Sequence, residues 1–217
     1  PIAVFADSET IKNAPYELTT SGLGDVIAKP VSSADWKLSQ ILFNEYFCQF
    51  CVDMIKEQEK IYLQHGKLIA NKDNDAIKYL FFALIFSGIA MTIAGTSSPA
   101  SGAEHLISHA LDVTALERGM KHDYHGRQVG IGTIFTSALY NKLLKIESPE
   151  FHFVDISLKK EFWRGISKYV EVEFNKKIKK LKIAFEILRS NYKLWDEIRL
   201  ELSKILVNPK NIKECLK

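Results

Sequence analysis

Apolar residues return every three or four positions along most of this chain, the period of an α-helix with one buried face. Trp36, Ile41, Phe43, Phe47, Phe50, Met54 and Ile61 mark one such stripe. Ser32 or Ser33 is placed to cap it, and His65-Gly66 to break it. A longer stripe, from Ile166 through Val170, Phe174, Ile178, Leu181, Phe185 and Leu188 to Trp195, Ile198, Leu202 and Ile205, predicts a long amphipathic scaffold helix kinked near Asn191. Asn13 can cap a helix whose first turn holds Pro15, running to about Lys29 and stopping at Pro30. Asp73 to Asp75 restarts a helix that lasts to a Gly/Ser/Pro turn at positions 95–102. Further helices are expected from about Ala103 and from Gly126 to about Leu144, with a loop over positions 119–124 between them. The opening PIAVFAD alternates differently and predicts a short strand ending at Asp7. The pattern as a whole is that of an all-α multi-helix bundle with a short N-terminal strand, a single domain over residues 1–217 without internal repeats.

Composition refines this picture at three points. The uncharged run Tyr79 to Gly95 sits at the short limit for a membrane span. Its Ser87, Gly88 and Thr92 and the polar turn that follows fit a central buried helix, so no membrane span is expected. A formal charge of +3, the balance of 29 basic and 26 acidic residues, makes no field that would mark a nucleic-acid partner. The lysines at 176, 177, 179, 180 and 182 read as the solvated face opposite the long stripe. Three cysteines, Cys48, Cys51 and Cys215, fit a reducing cytoplasm better than a disulfide framework. Cys48 and Cys51 form a C-x-x-C, but inside a helical pattern, where two small apolar residues on one face is the plainer reading.

Chemistry concentrates in one stretch. His105 and His109 lie four apart, so one helix face would carry both imidazoles to a shared metal, and His122 and His125 follow closely. No Glu follows His105, which excludes the zinc-protease pattern H-E-x-x-H. Just upstream, AGTSSPASG opens a helix and could turn N–H groups toward an anion such as phosphate, although an ordinary capped turn explains it as well.

Three segments, SGLGDVIAK (Ser21 to Lys29), SSPASGAEHLISHALD (Ser97 to Asp112) and HGRQVGIGT (His125 to Thr133), resemble the sn-glycerol-1-phosphate dehydrogenase family. That family lies within the iron-alcohol dehydrogenase, glycerol dehydrogenase and dehydroquinate synthase superfamily. The resemblance is strong from Pro1 to about Tyr140 and weak from Phe162-Trp163 to Trp195. It implies the helical, dehydroquinate synthase-like metal- and substrate-binding domain, with Asp25, His105 and His125 as ligands of one divalent metal. Zinc is the first expectation, and nickel or iron would accept the same set. His109 is implied to stand beside substrate and nicotinamide as the catalytic histidine rather than as a ligand. The implied reaction is the reversible NAD(P)-dependent reduction of dihydroxyacetone phosphate to sn-glycerol 1-phosphate, in polar lipid biosynthesis.

Two departures qualify the resemblance. The turn carries Ser98 where the family commonly has Arg, which weakens the expected phosphate contact. The family's N-terminal nucleotide-binding domain has no counterpart in these 217 residues. The expectation is therefore a portion of a cytoplasmic, self-associating dehydrogenase that is inactive alone. The alternatives are a portion of a glycerol dehydrogenase, or a stand-alone helical module that binds metal or ligand without redox chemistry.

Overall fold

The computed structural model describes residues 3–216, and all regular structure among them is helical. The expected strand is not formed: residues 3–7 are irregular, and Phe5 is almost fully exposed. A strand needs a partner edge, and none of the described residues supplies one. Pro1 and Ile2 of that prediction lie outside the described residues.

The first helix boundaries fall elsewhere than the pattern indicates. Helix α1 (Ser8–Lys12) is capped by Asp7, whose carboxylate accepts the Thr10 N–H at 2.9 Å, while Asn13 ends this helix rather than starting the next. Pro15 precedes α2 (Tyr16–Val26). Pro30 opens α3 (Lys29–Phe43) instead of stopping α2, because a first-turn residue has no helical acceptor for an N–H to lose. Ser32 and Ser33 are buried inside α3 and cap nothing; the Ser32 hydroxyl donates to the Pro99 carbonyl at 3.0 Å. Asn44, at φ 53°, ends α3 in the left-handed conformation, so the stripe from Trp36 to Ile61 is two helices. The second is α4 (Gln49–Gln64).

From there the order is α5 (Gly66–Ala70), α6 (Asn74–Ala94), α7 (Ala103–Glu117), α8 (His125–Leu143), α9 (Lys160–Trp163), α10 (Ser167–Ser190), α11 (Lys193–Ile205) and α12 (Pro209–Cys215). Asp73 caps α6 by accepting the N–H groups of Asp75 and Ala76, and Gly95 ends it at φ 67°. The long C-terminal stripe is divided at Asn191 into α10 and α11. Its lysines are solvated or paired, as Lys176 is with Glu173 and Lys180 with Glu45.

Helix α6 is long and apolar enough to cross a membrane by length and composition. It is less buried than a central helix would be. Ile77, Leu80, Ala83 and Ala90 pack inward, while Phe82, Ile89 and Ile93 are exposed on the other side. The inward residues join Leu23 and Val26 of α2, Ile27 just after it, Ile69 of α5 and Ile212 of α12 in one core, and Trp36, Cys51, Val52 and Ile55 in a second. A third core seats Ile198 and Leu202 of α11 on Ala34 of α3; fully burying each such side chain contributes about 1.5–3 kcal/mol.

The crossing of α2 and α8 positions the site. A Cβ on Gly24 would stand 2.1 Å from the Gly126 carbonyl oxygen, and one on Gly126 would stand 1.9 Å from the Ser21 carbonyl oxygen. Only glycine lets the two backbones approach this closely, and the Gly126 N–H donates across the seam to Ser21 Oγ at 3.1 Å. Nearly two turns further along α8, Gly132 makes a similar approach to the backbone of Glu104 in α7. The residues flanking these contacts, Asp25 on α2, His105 on α7 and His125 at the start of α8, are thereby drawn together.

Candidate metal centre

Asp25, His105 and His125 each present a ligand atom within 4.8 Å of the other two. His105 Nε2 and Asp25 Oδ1 are 3.4 Å apart, about the edge of a tetrahedron with 2.1 Å metal bonds. The rings of His105 and His125 have their centroids 5.1 Å apart. One carboxylate and two imidazoles are a donor set that zinc and its neighbours accept, and three protein ligands leave positions free for a substrate.

Both imidazoles are held from behind. His105 Nδ1 donates to Glu104 Oε1 at 2.8 Å, which turns Nε2 toward Asp25. Ser108 gives its one hydroxyl proton to Gln128 Oε1 at 3.0 Å, so its oxygen accepts from His125 Nδ1 at 3.2 Å and leaves the Nε2 lone pair bare. Such a partner on the far nitrogen fixes tautomer and ring orientation in metal sites. Glu104 is fully buried; its Oε1 also accepts the Gly102 N–H at 2.8 Å, and its Oε2 has no hydrogen-bond partner among the described residues.

Charge is balanced by Lys29, which is 2% exposed. Its Nζ bonds Asp25 Oδ2 at 3.0 Å and the Ala100 carbonyl at 3.1 Å. Burial pushes the Asp25 pKa upward, but the hydrogen bond from His105 and the Lys29 charge outweigh it and hold the carboxyl well below its usual range. For His105, burial pulls downward and is overcome by the carboxylates of Asp25 and Glu104, so the imidazole pKa is raised. His125 moves the other way, lowered by burial and then by the neighbouring His105 charge. The ionised carboxylate of Asp25 and the readily neutral imidazole of His125 suit metal ligation, whereas His105 would have to release its proton to bind.

Behind Glu104 lies a second, half-buried carboxylate. Asp35 accepts the Ala103 N–H at 2.6 Å and the Tyr140 hydroxyl, and burial raises its pKa to about 6. Asp35 and Glu104 together occupy the N–H groups of Gly102 and Ala103 at the start of α7. The turn before it directs its Pro99 and Ala100 carbonyls inward to Ser32 and Lys29. An anion at that helix start would have to displace carboxylates, so the turn is a capped structural turn and not an open phosphate cradle.

The histidines noticed first divide accordingly. His109, exposed, stacks on His125 with centroids 5.9 Å apart and lies 6.3 Å from His105, outside the group of three ligand atoms. His122 is exposed and pairs with Asp112 at 3.6 Å. It lines an opening of about 570 Å³ together with His125, Lys121 and Arg127. Sequence reasoning overlooked Lys29, Glu104, Ser108 and Gln128. Two of them carried a usable signal: Lys29 is only four residues from Asp25, and Glu104 adjoins His105.

No protein-family profile matches the chain. Curated relatives do. The glycerol-1-phosphate dehydrogenase [NAD(P)+] of Pyrococcus abyssi is 42% identical over 140 residues, covering 64% of this chain and 39% of its own length. The enzyme of that name from Staphylothermus marinus is 34% identical over 195 residues, or 90% of this chain and 52% of its own. That of Halalkalibacterium halodurans is 41% identical over 140 residues, 64% of this chain and 35% of its own. The chain thus spans about half or less of the length of the relatives it matches. With identity sustained at this level across most of the chain, and an all-helical structure as the resemblance implied, the chain belongs to the glycerol-1-phosphate dehydrogenase family.

Proposed function

We propose that these 217 residues are the metal- and substrate-holding part of an NAD(P)-dependent glycerol-1-phosphate dehydrogenase. The observation that carries this is the convergence of Asp25, His105 and His125 from three helices, each backed by a buried partner, in a chain whose relatives bear that name. In this reading the three side chains hold one divalent ion, zinc by preference. Bound there, the ion would supply Lewis acidity toward the ketone oxygen of dihydroxyacetone phosphate. Lys29 offsets the Asp25 charge, while Glu104 and Ser108 aim the two imidazoles. His109, on the open side of His125, holds a ring proton for the substrate oxygen as hydride arrives. The opening lined by Lys121 and Arg127 leaves room for the rest of a small phosphorylated substrate.

The nicotinamide is assigned to a part of the relatives outside the matched stretch, because none of the described residues form a strand, and hence no strand-turn-helix dinucleotide cradle. We further propose a reducing cytoplasm, which three unpaired thiols support, and self-association of the enzyme.

The test loads chelator-stripped protein with zinc and counts metal per chain, then offers dihydroxyacetone phosphate with NADH or NADPH. One zinc per chain is expected, lost in Asp25→Ala and in His125→Ala, with no nicotinamide oxidation by the 217 residues alone. Zinc retained undiminished in both variants would refute the site. Turnover by this chain alone would show that its own residues hold the nicotinamide.

A further inference from the structure

The C-x-x-C of Cys48 and Cys51 lies outside the metal centre; both pack in one apolar cluster, but Cys48 stands at the N-cap and not within the helix. Asn44 ends α3, residues 44–48 run without regular structure, and Cys48 is the N-cap of the sixteen-residue helix α4, with φ −121° and ψ 104°. Cys48 makes no capping hydrogen bond of its own, but an N-cap side chain stands beside the N–H groups of the second and third helical residues, here Phe50 and Cys51. Cys51 sits three residues on, at a spacing where neighbouring Cβ atoms on a helix are about 5–6 Å apart. A disulfide requires the two Cβ atoms to be drawn to about 3.5–4.5 Å. The two thiols differ in surroundings. Cys51 is fully buried with Trp36, Val52, Ile55 and Ala90, and its S–H points at the Ala90 carbonyl at 3.5 Å. Cys48 is half-buried at the edge of the same cluster and reachable from solvent.

We infer that Cys48 and Cys51 form a redox-active dithiol, in which Cys48 attacks a low-molecular-weight disulfide and Cys51 resolves the adduct into an intramolecular disulfide. The Cys48 thiolate attacks one sulfur of the small disulfide; that S–S bond breaks, and one small thiol leaves with a proton from water. Cys51 then attacks the Cys48 sulfur, the bond from Cys48 to the small thiol breaks, and the Cys51 proton leaves with the second small thiol. Two protein thiols are oxidised as one small disulfide is reduced to two thiols. The order follows from access and charge. The Cys51 backbone N–H foremost, and the Tyr46 hydroxyl, hold Cys48 below the ordinary thiol range, whereas burial pushes Cys51 up to about 11. Tyr46 also ties the loop down, since its carbonyl accepts the Trp36 indole N–H at 2.5 Å.

The experiment treats the folded 217-residue chain with glutathione disulfide, quenches in acid and measures intact mass and peptide linkage. Wild type is expected to lose two hydrogens without a lasting adduct, with the bond mapped to Cys48 and Cys51. Cys51→Ser should trap one glutathione on Cys48, and Cys51→Ala serves if the serine variant does not fold. Cys48→Ser keeps a good N-cap and should react at Cys51 at least about tenfold more slowly than wild type reacts at Cys48. Guanidinium-denatured protein should lose that selectivity. Wild-type protein that stays reduced, that accumulates a stable adduct on Cys48, or that reacts as fast at Cys51 would overturn the inference.

Discussion

Gly126→Ala probes whether the close crossing of α2 and α8 assembles the metal centre. The new Cβ would lie 1.9 Å from the Ser21 carbonyl oxygen, where ordinary contact begins near 3.4 Å. The obstacle is backbone and cannot rotate away, so the seam must open by about 1.5 Å or the helices must tilt. Alanine favours the helix by at most about 1 kcal/mol over glycine, while overpacking of this kind costs about 1–3 kcal/mol. The clash wins, and a net loss of about 1–2 kcal/mol is expected. For a chain of this size each kcal/mol lowers Tm by about 2–4 °C. Asp25 and His125 stand on opposite sides of the seam, with ligand atoms within 4.8 Å, and widening carries them away from the spacing that zinc imposes. Zinc affinity should therefore fall at least about tenfold, equal to about 1.4 kcal/mol. Urea unfolding and competition against a chromophoric chelator measure the two effects. Gly88→Ala is the control, because its Cβ meets open space, and it should leave both unchanged or raise stability slightly. A Gly126→Ala protein with the wild-type midpoint and wild-type zinc affinity would refute the reasoning.

His105→Ala should abolish zinc retention while His109→Ala keeps affinity within about threefold, since only the former belongs to the close group; equal losses in equilibrium dialysis would make His109 a ligand. Glu104→Gln preserves shape but removes the charge behind His105 Nδ1, and zinc affinity should drop about 10–100-fold with circular dichroism unchanged. Unaltered affinity would confine Glu104 to holding the α7 turn. Burial in α4 raises the Glu59 pKa to about 7, against the lowering charges of Lys56 and Lys60. The folded state then binds that proton more tightly than the unfolded state, so Glu59's contribution is complete below about pH 4.5 and is lost as pH rises through 7. Glu59→Gln should flatten that decline by roughly 2 kcal/mol, which denaturant melts at pH 5 and pH 8 would reveal; parallel pH profiles for both proteins would count against it.

Much of this was written locally. Apolar residues at helical spacing declared a helical bundle, and Asp73, His65-Gly66 and Gly95 placed their breaks, because caps and left-handed turns depend on a few neighbouring residues. Local reading failed where one residue type serves two ends of a helix. Pro30 stops a helix or starts one with equal ease, and Asn44 broke a stripe whose apolar spacing continued straight through. The segment at positions 3–7 had the alternation of a strand but no edge to pair with.

The candidate centre divides along the same line. His105 and His109 share a helix, so their neighbourhood was visible from spacing, but nothing in a period distinguishes which of them faces Asp25. That depends on how α7 and α8 meet, which Gly132 sets by admitting the Glu104 backbone, as Gly24 and Gly126 set the approach of α2. The sequence by itself determined the helices and the supply of donors. Tertiary structure alone decided that Lys29 and Glu104 are buried against Asp25 and His105, that the helix start at Ala103 is already filled by carboxylates, and that Cys48 stands at a helix end beside a hidden Cys51. Burial and charge pairing arise between segments distant in the chain, and no local pattern records them.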